Sequence, residues 1–185
     1  MQSVLTLKPH PLTPCSVASR IDVALALHGR SLELTYQITT PQSGLAVPNY
    51  EEPVRADDLW KETCCEAFLQ AAGQDSYVEI NLSPSTQWAV YGFTNYREGM
   101  RPRDIGAAPV IDREVGAEGL TLTARVDLSL LPTAFAQADW CLGLSAVICG
   151  TSGERSFWAL NHPPEKPDFH HRDCFAFQIN AADRT

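Results

Sequence analysis

The chain of 185 residues and 20.3 kDa is long enough for one domain with its own core, since a domain of this size buries about two-thirds of its unfolded surface. Hydrophobic residues make up 44% and charged residues 19%, a globular balance that excludes a disordered chain. Fourteen basic against twenty-two acidic residues leave a net charge of −8, which argues against nucleic acid or an anionic membrane as partner, because both are held through Lys and Arg.

The N-terminal run to Lys8-Pro9 has no basic start and breaks early, so it does not read as a secretory signal. No apolar run approaches the roughly 20 residues of a membrane helix, and a cytoplasmic location is expected. Cys15, Cys64, Cys65, Cys141, Cys149 and Cys174 contain no CxxC pair and read as reduced thiols. The adjacent Cys64 and Cys65 should face opposite sides of a strand.

Taken in chain order, alternation of apolar and polar residues predicts strands at 22–27, 31–38, 63–70, 77–82, 87–93, 109–114, 120–126, 141–149, 156–160 and 174–179. Residues 31–38 show the pattern: Leu32, Leu34, Tyr36 and Ile38 share one face, and Ser31, Glu33, Thr35 and Gln37 share the other. His28-Gly29-Arg30 reads as a tight hairpin, and Ser83-Pro84-Ser85-Thr86 as a turn. Helical signal is scarce. Residues 57–62 could form one capped turn, and 127–131, stopped by Pro132, another. The expectation is an all-β fold: a single antiparallel β-sandwich, jelly-roll or immunoglobulin-like, of about ten strands with one or two short helical turns. The long non-strand stretches 40–54 and 161–173 are expected near a binding end.

Chemistry concentrates in two places. In 77–82 the even residues Val78, Ile80 and Leu82 form a core face, so Tyr77, Glu79 and Asn81 point away from it. Glu66 shares its strand face with Cys64 and Phe68. The following strand adds either Trp88 or Tyr91 and Phe93, depending on register, and Tyr96 and Arg97 follow. A solvated outer face would explain the polar groups, but it explains the aromatic density less well. Rings beside amide and carboxylate groups suit a polyhydroxylated ligand. Because Glu66 and Asn81 lie outside the apolar core, truncating either is expected to cost little stability.

The second concentration is His162-Pro163-Pro164-Glu165-Lys166-Pro167-Asp168-Phe169-His170-His171-Arg172-Asp173-Cys174. His162, Asp168, His170 and His171 could ligate a metal, but their spacing fits neither HExxH nor a zinc finger. A proline-stiffened loop with histidines on backbone carbonyls is the simpler reading. No G-x-S-x-G elbow or phosphate-binding Gly-rich loop is present.

The runs 59–69, 77–85 and 88–91, with 126–132 and 158–170, resemble the DOMON-like group of bacterial proteins, which is similar to the family 9 carbohydrate-binding modules. The resemblance spans about residues 7–179. It implies a jelly-roll sandwich that binds a sugar or, in some DOMON proteins, haem held by Met and His. Met100 with His162 or His170 would be the pair here.

Together these readings give a non-catalytic module for a small carbohydrate or related polar metabolite. Trp60, Trp88, Tyr91 and Tyr96 would stack, Glu66, Glu79, Asn81 and Arg97 would hydrogen-bond, and His162, Asp168 and His170 would close the rim. No cofactor is expected. The alternatives are a haem- or metal-binding DOMON domain, a glycan-processing enzyme using paired carboxylates, and an interaction protein whose aromatic strip is an interface.

Overall fold

The computed structural model describes residues 1–41, 44–131, 135 and 137–184. Among them twelve strands form an antiparallel assembly: β1 (Gln2–Pro9), β2 (Arg20–His28), β3 (Ser31–Thr39), β4 (Cys64–Ala71), β5 (Tyr77–Leu82), β6 (Trp88–Phe93), β7 (Arg101–Pro102), β8 (Val110–Gly116), β9 (Gly119–Asp127), β10 (Trp140–Cys149), β11 (Arg155–Ala159) and β12 (Phe177–Ile179). Short 3-10 turns stand at Leu59–Lys61, Arg172–Cys174 and Ala181–Arg184, and Phe135 and Gln137 are also helical. The all-β, antiparallel expectation holds. The count is twelve rather than about ten, because β1 and β7 had not been foreseen. β1 carries apolar residues on both faces, with Val4 73% exposed, so its alternation is blurred; β7 is two residues long.

The strand order is β7-β6-β5-β4-β10-β11-β1-β2-β3-β9-β8, with β12 alongside β10. β1 joins the two sections: its first six residues pair β2, and Lys8 and Pro9 pair β11. The sheet curls so that its sections face each other. The Tyr36 hydroxyl of β3 donates to the Glu66 carbonyl of β4 at 2.7 Å, and one core cluster holds Leu25, Leu34 and Leu122 together with Leu69, Ile80 and Leu142. The β2–β3 register puts His28 opposite Ser31, so Gly29 and Arg30 make a two-residue turn. Gly29 takes the positive φ of 59° that such a turn demands at its first position.

Several local expectations change. The turn at Leu59–Lys61 forms without its capping box: Asp58 sits at φ 64° with no side-chain cap, and its carboxylate meets Lys61 Nζ at 2.6 Å. A turn also forms after β9, where the Leu131 N–H donates to the Leu128 carbonyl at 3.1 Å; Pro132 lies outside the described residues. The last strand is shorter than 174–179, because Cys174 belongs to a 3-10 turn. Cys64 and Cys65 do face opposite ways: Cys65 is in the main core, and the Cys64 thiol lies 3.9 Å from Asn81 Oδ1.

The largest correction concerns the polar face. Every residue of β5 is buried, so the face carrying Glu66, Glu79 and Asn81 is not a plain outer surface. It meets a second apolar cluster built from Phe68, Tyr77, Tyr91, Phe93, Val147, Phe169 and Phe175. The chain after β11 folds over β4 and β10. Gly143 of β10 permits this approach: a Cβ there would stand 3.1 Å from the Cys174 carbonyl oxygen.

Candidate ligand-binding site

Strand register assembles the floor. Glu66 pairs with Asn81 and Phe68 with Glu79 across β4–β5, while Glu79 pairs with Tyr91 and Tyr77 with Phe93 across β5–β6. Side chains on one face of neighbouring antiparallel strands are about 5 Å apart when opposite and about 7–8 Å apart on the diagonal, so two carboxyls and four aromatic rings converge. Val147 of β10 and Phe157 of β11 extend the floor. The turn before β4 supplies Trp60, the 94–100 loop supplies Arg97 and Met100, and the segment after β11 supplies Pro167, Asp168, Phe169 and His170. These groups enclose a pocket of about 320 Å³.

A bridge from loop to loop closes one wall. Arg97 stands at φ 54°, a left-handed conformation that costs a non-glycine residue roughly 1–3 kcal/mol and persists where surroundings impose it. Its Nε and Nη2 both donate to Asp168 Oδ1, at 3.2 and 2.7 Å, and the Tyr96 hydroxyl donates to Asp168 Oδ2. Burial alone would push Asp168 up, but these donors hold its carboxyl below the ordinary range.

His170 is boxed by Phe68, Tyr77 and Phe93, with ring centroids 5.2, 5.8 and 5.1 Å away. Burial first, then the Arg97 charge, pulls it down to about 4, so it is neutral at pH 7. The Tyr77 hydroxyl accepts from the Arg97 N–H at 3.1 Å and meets His170 Nδ1 at 2.7 Å. That hydroxyl can donate to Nδ1 or accept from it, according to the tautomer of the neutral ring. The other ring nitrogen, Nε2, stands 3.8 Å from Glu79 Oε2.

The two floor carboxyls are held differently. Asn81 Nδ2 donates to Glu79 Oε1 at 2.7 Å, and the Ser145 hydroxyl donates to Glu66 Oε2 at 3.4 Å. Burial, and then the Glu79 charge, pushes Glu66 well above the ordinary carboxyl range; burial also raises Glu79. Two like charges this close favour a state in which one keeps its proton.

Of the eleven residues singled out from the sequence, Trp60, Glu66, Glu79, Tyr91, Arg97, Asp168 and His170 line this pocket. Asn81 lies beneath, orienting Glu79, and Tyr96 stands behind Asp168. Trp88 does not join them. It pairs with Leu82 and packs on the main core, because the β5–β6 register turns it to the opposite face. His162 is also elsewhere, its Nε2 on the Lys8 carbonyl at 2.8 Å and its ring against His10. None of the described residues of the 40–54 stretch lines the pocket; residues 46–49 and Glu51 line a separate polar cleft with Ser83, Ser85 and Gln87.

Of the candidate metal residues, Asp168 and His170 share the pocket while His162 and His171 do not line it, His171 Nδ1 accepting from the Asp173 N–H at 3.3 Å. No group of three His, Cys, Asp or Glu side chains among the described residues could hold a metal ion. Met100 and His170 share the pocket, but the ring nitrogens of His170 face Tyr77 and Glu79, and His162 does not line it, its ring lying behind Phe169. Phe157, Phe169, Val147 and Pro167 were not foreseen. Phe157 alone carried a signal, since it alternates with the core residues Ser156 and Trp158 in a predicted strand.

Antiparallel all-β architecture with a walled pocket on one sheet face is thus the class that fold and site define. The fold recurs in solved structures. A Bacteroides uniformis protein provisionally described as carbohydrate-binding superposes with a TM-score of 0.65 at 15% identity, over 96% of this chain and 85% of that one. A family 9 carbohydrate-binding module from Caldicellulosiruptor kristjanssonii, in complex with glucose, superposes with a TM-score of 0.53 at 13% identity, over 94% of this chain and 83% of that one. At such identities the likeness is one of fold. No protein-family model matches the sequence, nor does any curated protein.

Proposed function

We propose that this protein is a non-catalytic carbohydrate-binding module and that the pocket beside Glu66 and Glu79 takes a small saccharide. The observation that carries the reading is the juxtaposition of apolar walls, Trp60, Tyr91, Phe157 and Phe169, with hydrogen-bonding groups on Glu66, Glu79, Asp168 and His170. A sugar ring has the matching duality, C–H faces that stack and hydroxyls that hydrogen-bond. A volume of about 320 Å³ is at the small end for ligand sites and suits a short ligand rather than a chain. The sugar-related descriptions of the two structural neighbours agree with this reading, as does taking the curled sheet for a jelly-roll sandwich. Against glycan cleavage stands the placement of Glu66 and Glu79 on adjacent strands of one floor, whereas glycosidase carboxylates flank the scissile bond. The six free thiols fit the proposed cytoplasmic setting.

The test is a thermal-shift and calorimetric screen of neutral and charged monosaccharides and disaccharides. A ligand at 100 times its Kd adds about 2.7 kcal/mol, so the melting temperature should rise by about 5–10 °C. No product should form on prolonged incubation. Failure of every sugar to bind, or turnover of one, would sink the proposal.

A further inference from the structure

Glu66 and Glu79 are only 3% and 6% exposed, yet both line the pocket. Each has one carboxyl oxygen engaged, by Ser145 and Asn81 respectively. Among the described residues no hydrogen-bond donor reaches Glu66 Oε1, and Glu79 Oε2 has only His170 Nε2, at 3.8 Å. Two carboxyl oxygens that line the pocket are therefore without a protein partner, and each can accept a hydrogen bond from a ligand. The neighbouring cations are committed. Arg97 holds Asp168 through both Nε and Nη2, and Arg155 Nη2 donates to the Trp60 carbonyl at 2.6 Å. Glu66, Glu79 and Asp168 thus stand against Arg97 and Arg155 around the pocket, while Arg55, over the Tyr91 ring, is already paired with Asp57.

From this geometry we infer that the saccharide carries a free amino group, whose ammonium sits between Glu66 and Glu79. The inference rests on the carbohydrate reading above and narrows it to one chemical class. A neutral hydroxyl can donate to one free oxygen but brings no charge, so one of the two carboxyls must keep its proton. An ammonium brings three donors and the missing positive charge, and charge-assisted hydrogen bonds are about twice as strong as neutral ones. Arg55 and Lys61 already stand over the rings of Tyr91 and Trp60, so the attraction of an aromatic face for the ligand cation falls to Phe93 in the wall. An acetylated amine has lost the charge and would have to bury an amide carbonyl against carboxylates.

The experiment is isothermal titration of the full chain at pH 7 with glucosamine, glucose and N-acetylglucosamine. Glucosamine should bind at least about tenfold more tightly than glucose, with N-acetylglucosamine no tighter than glucose. In Glu66→Gln and Glu79→Gln, each checked for folding by its melting curve, the ratio of glucosamine to glucose affinity should fall towards one. Equal affinities in the parent protein, or a ratio unmoved in the folded variants, would overturn the inference and leave the carbohydrate reading standing. Absence of binding by neutral and amino sugars alike would overturn both.

Discussion

Glu66 and Asp168 are carboxyls whose surroundings drive them in opposite directions. Burial and the nearby Glu79 charge raise Glu66, whereas hydrogen bonds from Arg97 and Tyr96 outweigh burial and lower Asp168. An unfolded glutamate gives up its proton at about pH 4.3, but folded Glu66 keeps it to higher pH. Above that value the folded state binds more protons than the unfolded one, so this residue makes stability fall as pH rises. Asp168 acts the other way: its contribution is present above the ordinary carboxyl range and is lost as pH falls through its depressed value. Glu66→Gln removes the first titration and should raise the melting temperature relative to the parent more at pH 7.5 than at pH 4. A pH-independent difference in paired melting curves would show that Glu66 is not held protonated. His170, pulled down to about 4, should destabilise the fold progressively as pH falls below its ordinary value of about 6.5.

β5 carries both halves of the argument in six residues. Val78, Ile80 and Leu82 enter the main core, and Tyr77, Glu79 and Asn81 face the pocket and its cover. Leu82→Ala should cost about 2–5 kcal/mol through the cavity it leaves. Asn81→Ala was expected from the sequence to be nearly neutral, but Asn81 is 1% exposed and supplies a donor to Glu79 Oε1. It should instead cost about 1–3 kcal/mol, the penalty of a buried acceptor left unpaired. Urea denaturation of the two variants checks both figures, and a neutral Asn81→Ala would return this face to the status of plain surface. The alternation itself was readable, because period two follows from strand geometry whatever the partner. Two things were not. Trp88 lay in a run whose register against β5 was open, and a shift of one residue moves a side chain to the other face. The cover over Glu66 and Asn81 comes from residues about a hundred positions later, in a loop with no periodicity, so nothing local announced it.

At the scale of the molecule, β1 belongs to both sections of the sheet, and the curl it permits leaves one face to the core and the opposite face of β4–β6 to the pocket. The 161–173 stretch, expected near a binding end for its prolines and polar groups, lines the candidate pocket, whereas 40–54, equally long and polar, lines a different cleft; composition alone does not distinguish them. The most direct test of the account is a crystal structure of the protein with whichever saccharide binds in solution. The sugar ring should lie in the pocket against Trp60, Tyr91 or Phe169, with polar atoms within about 3.2 Å of Glu66 and Glu79. A ring seated instead in the cleft of Ser83, Ser85 and Gln87, with the pocket beside Glu66 and Glu79 empty, would contradict it.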